Sequence, residues 1–140
     1  MSEDFKLRYE VDGENFMAAG AASSDVKKVL RQLGIGADAI RKAAVAMYEG
    51  EINMVIHAGG GVPDITVSDN YIEIILSDKG PGIPDVEQAM QEGWSTAPDN
   101  IRALGFGAGM GLPNMKKYSD EMSIDTVVGE GTTITMRIYI

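Results

Sequence analysis

From Asp78 to Leu112 glycine stands at positions 80, 82, 93, 105, 107, 109 and 111 and proline at 81, 84 and 98. Glycine weakens helices and strands and proline removes a backbone donor, so this stretch reads mostly as loop. The core must come from the segments on either side. Upstream, Leu7, Tyr9 and Val11 alternate with polar neighbours into Asp12-Gly13, the pattern of a half-buried strand ending in a turn. Val26, Val29, Leu30 and Leu33 recur at the spacing of one helical face, with Gly34-Ile35-Gly36 as the stop. Asp38 suits the N-cap of a second helix running to about Ala58, ended by Gly59-Gly60-Gly61 and Pro63. Ile65 and Val67 alternate, Asp69-Asn70 makes a turn, and Tyr71 to Leu76 is apolar enough for a strand covered on both faces. Downstream, Pro113 fits the first position of a short helix ending near Tyr118. Strand 122–128, the turn Gly129-Glu130-Gly131 and a strand alternating Ile134, Met136, Ile138 and Ile140 complete the chain.

This order segregates helices from a hairpin-rich sheet. It predicts an α/β fold of the α+β two-layer sandwich kind, a mostly antiparallel mixed sheet covered on one face by helices. At 140 residues the chain has the length of one domain, expected to span 1–140.

Composition narrows the function. A formal charge of −9 argues against general nucleic-acid binding, which needs concentrated Lys and Arg. It does not exclude a single nucleotide, because backbone N–H groups and a divalent cation can hold a small anion. The chain has no cysteine, so disulfides, thiolate metal sites and cysteine nucleophiles are excluded. The acidic start Met1-Ser2-Glu3-Asp4 is unlike a secretory signal, and no run approaches the roughly 18 apolar residues of a membrane span. A cytoplasmic protein without membrane contact is expected. One histidine, His57, rules out a histidine metal cluster and reads as structural.

Three segments can carry chemistry. Glu49 and Asn53 are four residues apart on the second helix and share a face, with His57 continuing the stripe. The stripe of Val45, Tyr48, Ile52 and Val55 or Ile56 would place them at the border of the core. A carboxylate there could take a proton from a hydroxyl and an amide oxygen could help ligate Mg²⁺, although alone the pair also fits a solvated helix face. Asp78-Lys79-Gly80-Pro81-Gly82-Ile83 follows the most apolar strand. Its aspartate could accept from an exocyclic amine while Gly80 and Gly82 let backbone approach a flat ring, or the segment is a simple turn. Gly105 to Pro113 alternates glycine with other residues and opens a helix, a phosphate cradle in physical terms. It is neither a P-loop nor a G-x-G-x-x-G fingerprint. Methionines 47, 54, 110, 115 and 136 read as fillers of core or lid gaps.

The order helical Glu/Asn, strand-Asp-x-Gly-x-Gly, glycine-rich loop opening a helix, and Gly131-Thr132-Thr133 before a strand resembles the nucleotide-site boxes shared by histidine kinases, gyrase-type ATPases and anti-sigma kinases. From about Leu7 to Ile140 the chain is similar to the small bacterial anti-sigma regulatory kinases of partner-switching systems. Gly109 to Lys117 with Asp120-Glu121 looks most like the stress-complex switch kinases. The resemblance implies a Bergerat-type ATP-binding fold with ATP and Mg²⁺ as cofactors. It implies Asn53 as the Mg²⁺ ligand, Glu49 as the base, and Asp78 as the adenine-recognising aspartate, helped by Gly82 and by Thr132 through water. It further implies Gly107, Gly109 and Gly111 as the hinge of a phosphate lid, with Gly80, Ile83, Met110 and Leu112 also at the nucleotide.

The function so implied is an ATP-dependent protein serine/threonine kinase acting on a small antagonist-type protein, with a sigma factor or other effector as a further partner. The alternative is an ATP-dependent binding switch that transfers no phosphate. Strand 7–11 offers an edge for a homodimer. Gly50 stands in mid-helix at a cost of about 1 kcal/mol relative to alanine, Glu51 is a second carboxylate roughly 100° around the helix from the neighbours of Asn53 and is not taken as the base, and Arg102 is either a lid ligand of the γ-phosphate or a solvated loop arginine.

Overall fold

The computed structural model describes residues 4–12, 20–83, 85–86, 90 and 111–140. Its elements in chain order are β1 (Phe5–Arg8), β2 (Val11–Asp12), α1 (Ala21–Gln32), α2 (Ala37–His57), β3 (Gly60–Val67), β4 (Tyr71–Asp78), α3 (Gly111–Lys117), β5 (Glu121–Val127) and β6 (Gly131–Tyr139). The strands form one sheet in the order β1-β3-β4-β6-β5, with β2 also on β3. Every described pairing is antiparallel, so the expected mixed character is not seen among these strands.

Period-2 patterning sends Ile65 and Val67 of β3, Ile72, Ile74 and Leu76 of β4, and Ile134, Met136 and Ile138 of β6 to one face. There they meet Val26 and Leu30 of α1, Ala43, Met47 and Met54 of α2, and Leu112 and Met115 of α3 in one core. The four described methionines of the expected five, 47, 54, 115 and 136, are all buried. The β3–β4 turn is centred on Asp69-Asn70, where Ser68 Oγ accepts the N–H groups of Asn70 and Tyr71 at 3.3 and 3.1 Å.

Several expectations are corrected. Leu7, Tyr9 and Val11 do lie along β3 in one register, but the ladder breaks opposite Pro63, which has no N–H to return to Tyr9; only Tyr9 N–H to the Pro63 carbonyl is made, at 3.0 Å. Pro63 and Gly60-Gly61 thus belong to β3 rather than to a helix stop. The N-cap of α2 is Gly36, while Asp38 in the first turn pairs with Arg41 and Lys42 at 3.0 and 3.4 Å. Pro113 is the third residue of α3, not the first. β4 is buried on one face only, because the helices form a single layer; Glu73 on its other face bonds Arg137 at 2.8 Å. Leu33 is exposed, since α1 ends at Gln32 in a Schellman turn: Gly34, at φ +79°, donates to the Arg31 carbonyl and Ile35 to that of Leu30, both at 3.1 Å.

Candidate functional site

α2 is the axis of the site. Its sheet-facing side is Ala43, Met47, Gly50 and Met54, while Ile52 and Val55 are buried as expected and Tyr48 is exposed. Gly50 now has a reason. A Cβ there would lie 2.1 Å from Leu76 Cδ1, so the missing side chain lets α2 settle onto β4. One residue on, Glu51 is only 2% exposed and reaches the first turn of α1. Its Oε2 accepts the N–H groups of Gly20 at 2.8 Å and Ala22 at 3.2 Å, and its Oε1 that of Ser23 at 3.0 Å. α1 has no side-chain cap of its own, so a carboxylate from the neighbouring helix satisfies its unpaired donors and meets its positive end.

Glu49 and Asn53 sit on the opposite side of α2, along α3. Both are half-buried. Burial pushes the pKa of Glu49 above the ordinary carboxylate value, and the neighbouring Asn114 side chain opposes that rise in part. Asn53 lies against the first residue of α3: a Cβ on Gly111 would be 3.0 Å from Asn53 Oδ1 and 3.2 Å from Nδ2. His57, four residues further, is half-buried, and burial lowers its pKa.

The end of β4 faces the start of β6. Asp78 pairs in register with Thr132, and its Oδ1 accepts the N–H groups of Gly80 at 3.0 Å and Thr132 at 3.2 Å. Thr132 Oγ1, in a residue 6% exposed, is 2.9 Å from Thr126 Oγ1. Thr126 Oγ1 donates to the Gly131 carbonyl at 3.2 Å and accepts the Ile83 N–H at 2.9 Å. The glycines here permit protein to approach protein: a Cβ on Gly80 would be 2.7 Å from Ala58 Cα, and one on Gly82, at φ +79°, 2.6 Å from the Val127 carbonyl.

The fold therefore brings together Glu49, Asn53 and Gly111 along one helix seam, and Asp78, Gly80, Gly82, Ile83 and Thr132 at one sheet end. Leu112 is a core residue, 6% exposed. Gly107, Gly109, Met110 and Arg102 lie outside the described residues. Sequence reasoning missed Asn114 and Thr126, and named Glu51 without its contact to α1. Thr126 could have been found, because the 129–131 turn sets it opposite Thr132 in the β5–β6 register.

Among the described residues no group of three or more His, Asp or Glu could hold a metal by itself. The oxygen donors present suit a hard cation that keeps waters and phosphate oxygens as its other ligands, the habit of Mg²⁺.

Comparison with known proteins gives the class. Residues 17–138 match the histidine kinase-like ATPase domain model, and the chain belongs to that family. It is 37% identical over 112 residues to the serine/threonine-protein kinase RsbT of Bacillus subtilis, covering 77% of this chain and 78% of the relative. It is 30% identical over 147 aligned positions to an anti-sigma F factor of Priestia megaterium, covering 100% of this chain and 95% of the relative. A crystal structure of the RsbU and RsbW domains of a Mycobacterium tuberculosis protein superposes with a TM-score of 0.65 at 18% identity. The match covers 96% of this chain and 32% of that one, so this chain spans about a third of its length and the likeness concerns fold alone.

Proposed function

We propose that this chain is a single ATP-binding domain that transfers the γ-phosphate of Mg-ATP to a serine or threonine of a small antagonist-type protein in a partner-switching pathway. The observation that carries the reading is the Glu49–Asn53 pair on one face of α2, with Glu49 half-buried beside Asn114 of α3. Family membership and a relative named as a serine/threonine kinase support it.

Asp78, fixed through Oδ1 by two backbone donors, turns its other oxygen to the exocyclic amine of adenine. Thr132 lies one position across the sheet and contacts the base through water, and Gly80, Gly82 and Ile83 border it. Asn53 offers its amide oxygen to Mg²⁺, which when bound neutralises phosphate charge. Glu49 takes the proton of the acceptor hydroxyl as its oxygen attacks the γ-phosphorus. The bond to the β-phosphate oxygen breaks and ADP leaves with that electron pair. A raised Glu49 pKa suits a base that must hold a proton yet be ionised at neutral pH. Gly107, Gly109 and Gly111 serve as the lid hinge, with Met110 at the nucleotide.

Relatives named anti-sigma F factor favour a second reading, a nucleotide-dependent binding switch with a sigma factor or other effector as partner. We assign the chain to the cytoplasm, in keeping with its lack of cysteine and of any described helix long and apolar enough to cross a membrane. The test is incubation with Mg²⁺ and γ-labelled ATP in a lysate of the source organism, beside Glu49→Ala. A small protein labelled by the wild type alone supports the kinase. Equal labelling by both removes Glu49 from the mechanism, and no labelling with ATP binding intact selects the switch.

A further inference from the structure

Cations are scarce in this chain, 12 Lys and Arg against 21 Asp and Glu. Yet Arg41, Lys42, Lys116 and Lys117 stand together where the first turns of α2 meet the last turn of α3. The two helices run antiparallel along one seam, with Gly111 against Asn53, Met115 beside Gly50, Asn114 near Glu49, and Tyr118 beside Arg41. The Tyr118 ring has the Arg41 guanidinium 6.0 Å and the Lys117 ammonium 5.4 Å from its centroid. Lys117 is one helical turn, about 5 Å, beyond Asn114, and Arg41 about two turns, roughly 12 Å, from Glu49.

Local chemistry accounts for part of this cluster. Lys116 and Lys117 suit the negative end of α3, and Asp38 pairs with Arg41 and Lys42. Among the described residues one carboxylate is shared by two cations and no ion pair is made by Lys116 or Lys117, and the Arg41 side chain remains 62% exposed. The acids that follow α3 are engaged elsewhere: Asp120 accepts the Tyr139 N–H at 2.8 Å and Glu121 the Tyr139 hydroxyl.

We propose that Arg41, Lys42, Lys116 and Lys117, the first and last of them flanking Tyr118, dock an acidic patch of the protein that presents its hydroxyl to Glu49. The proposal rests on the kinase reading and adds the sign of the partner's surface. Any protein whose hydroxyl reaches the half-buried Glu49 must lie over the α2–α3 seam. Charges rimming such a contact steer and orient the encounter. A chain of net charge −9 repels an acidic partner elsewhere, so this positive end selects its orientation.

The test compares wild type with Arg41→Glu/Lys117→Glu, with Lys116→Glu/Lys117→Glu, which leaves the Asp38 pairs intact, and with Lys27→Glu/Lys28→Glu on α1. Circular dichroism and ATP affinity verify each variant. In the labelled-ATP lysate assay both seam variants should lose roughly tenfold or more of the acceptor labelling, and the α1 variant should lose none. Wild-type labelling retained by the seam variants overturns the docking surface and leaves the kinase reading standing. Absence of labelling by wild type overturns the kinase reading, and docking is then decided by titrating the ¹⁵N-labelled chain with poly-L-glutamate. Shifts confined to Arg41, Lys42 and Lys116 to Tyr118 support it. No shifts, shifts centred on α1, or binding of anionic vesicles or DNA oligonucleotides without poly-glutamate overturn it.

Discussion

Replacing Glu51 should unfold much of what holds α1 against α2. Its carboxylate is 2% exposed and accepts three backbone N–H groups, those of Gly20, Ala22 and Ser23. Leaving a buried donor unpaired costs about 1–3 kcal/mol, and removing an anion from a helix start a further ~0.3–1 kcal/mol. Against this, alanine no longer keeps a carboxylate out of water. Glu51→Ala should therefore lose about 3–5 kcal/mol, a large part of the roughly 5–15 kcal/mol typical of a domain. Glu51→Gln keeps one acceptor oxygen but turns an NH₂ toward an N–H, so it should lose about 1–3 kcal/mol. In urea unfolding followed by far-UV circular dichroism, with a slope of about 2 kcal/mol per M, the alanine midpoint should fall by roughly 2 M. Glu49→Ala, two residues away but half-buried on the other side of the helix, should stay within about 0.5 kcal/mol of wild type. A Glu51→Ala loss below about 1 kcal/mol, or equal losses for alanine and glutamine, would refute the trans-capping account.

Gly50→Ala should destabilise by up to about 2 kcal/mol, because overpacking Leu76 at about 1–3 kcal/mol outweighs a helix-propensity gain near 1 kcal/mol. In a Leu76→Ala background the same change should become stabilising, and additivity in that double-mutant cycle would sink the packing argument. Thr126→Val should cost about 1–3 kcal/mol by unpairing the Ile83 N–H, read by thermal melting, with no loss meaning that bond is unimportant. The raised Glu49 pKa gives two pH signatures. The folded state holds this proton more tightly than the unfolded chain, so its stabilising contribution is full below the ordinary glutamate value and is lost as pH rises through the folded pKa. Glu49→Gln should flatten that segment of the stability profile. The acid limb of phosphate transfer should likewise lie above the ordinary glutamate value, and a limb at or below it would exclude Glu49 as the base.

How far the sequence reaches can be followed in three residues of α2. Helical period alone places Glu49 and Asn53 on one face and Glu51 on another, and the structure agrees. It cannot name what Glu51 meets, because the first turn of α1 lies some thirty positions away and carries no capping side chain to announce the need. Gly50 was a cost without a reason until Leu76 was placed beneath it. The hairpins were readable because their turns fix register: Asp69-Asn70 and Gly129 to Gly131 set Val67 opposite Ile72 and Thr126 opposite Thr132. β4 was misread because Tyr71 and Ile75 raise the apolar content of an outward face that also carries Glu73 and Ser77, and the single helical layer leaves that face uncovered.

The most direct test of the nucleotide site is calorimetric titration of the chain with ATP, with and without Mg²⁺, beside Asn53→Ala and Asp78→Asn, with inorganic triphosphate as the base-free control. The account predicts Mg-dependent ATP binding that Asn53→Ala abolishes, and an Asp78→Asn loss that falls on ATP far more than on triphosphate. Binding unchanged in Asn53→Ala, or equal losses of ATP and triphosphate in Asp78→Asn, would contradict it.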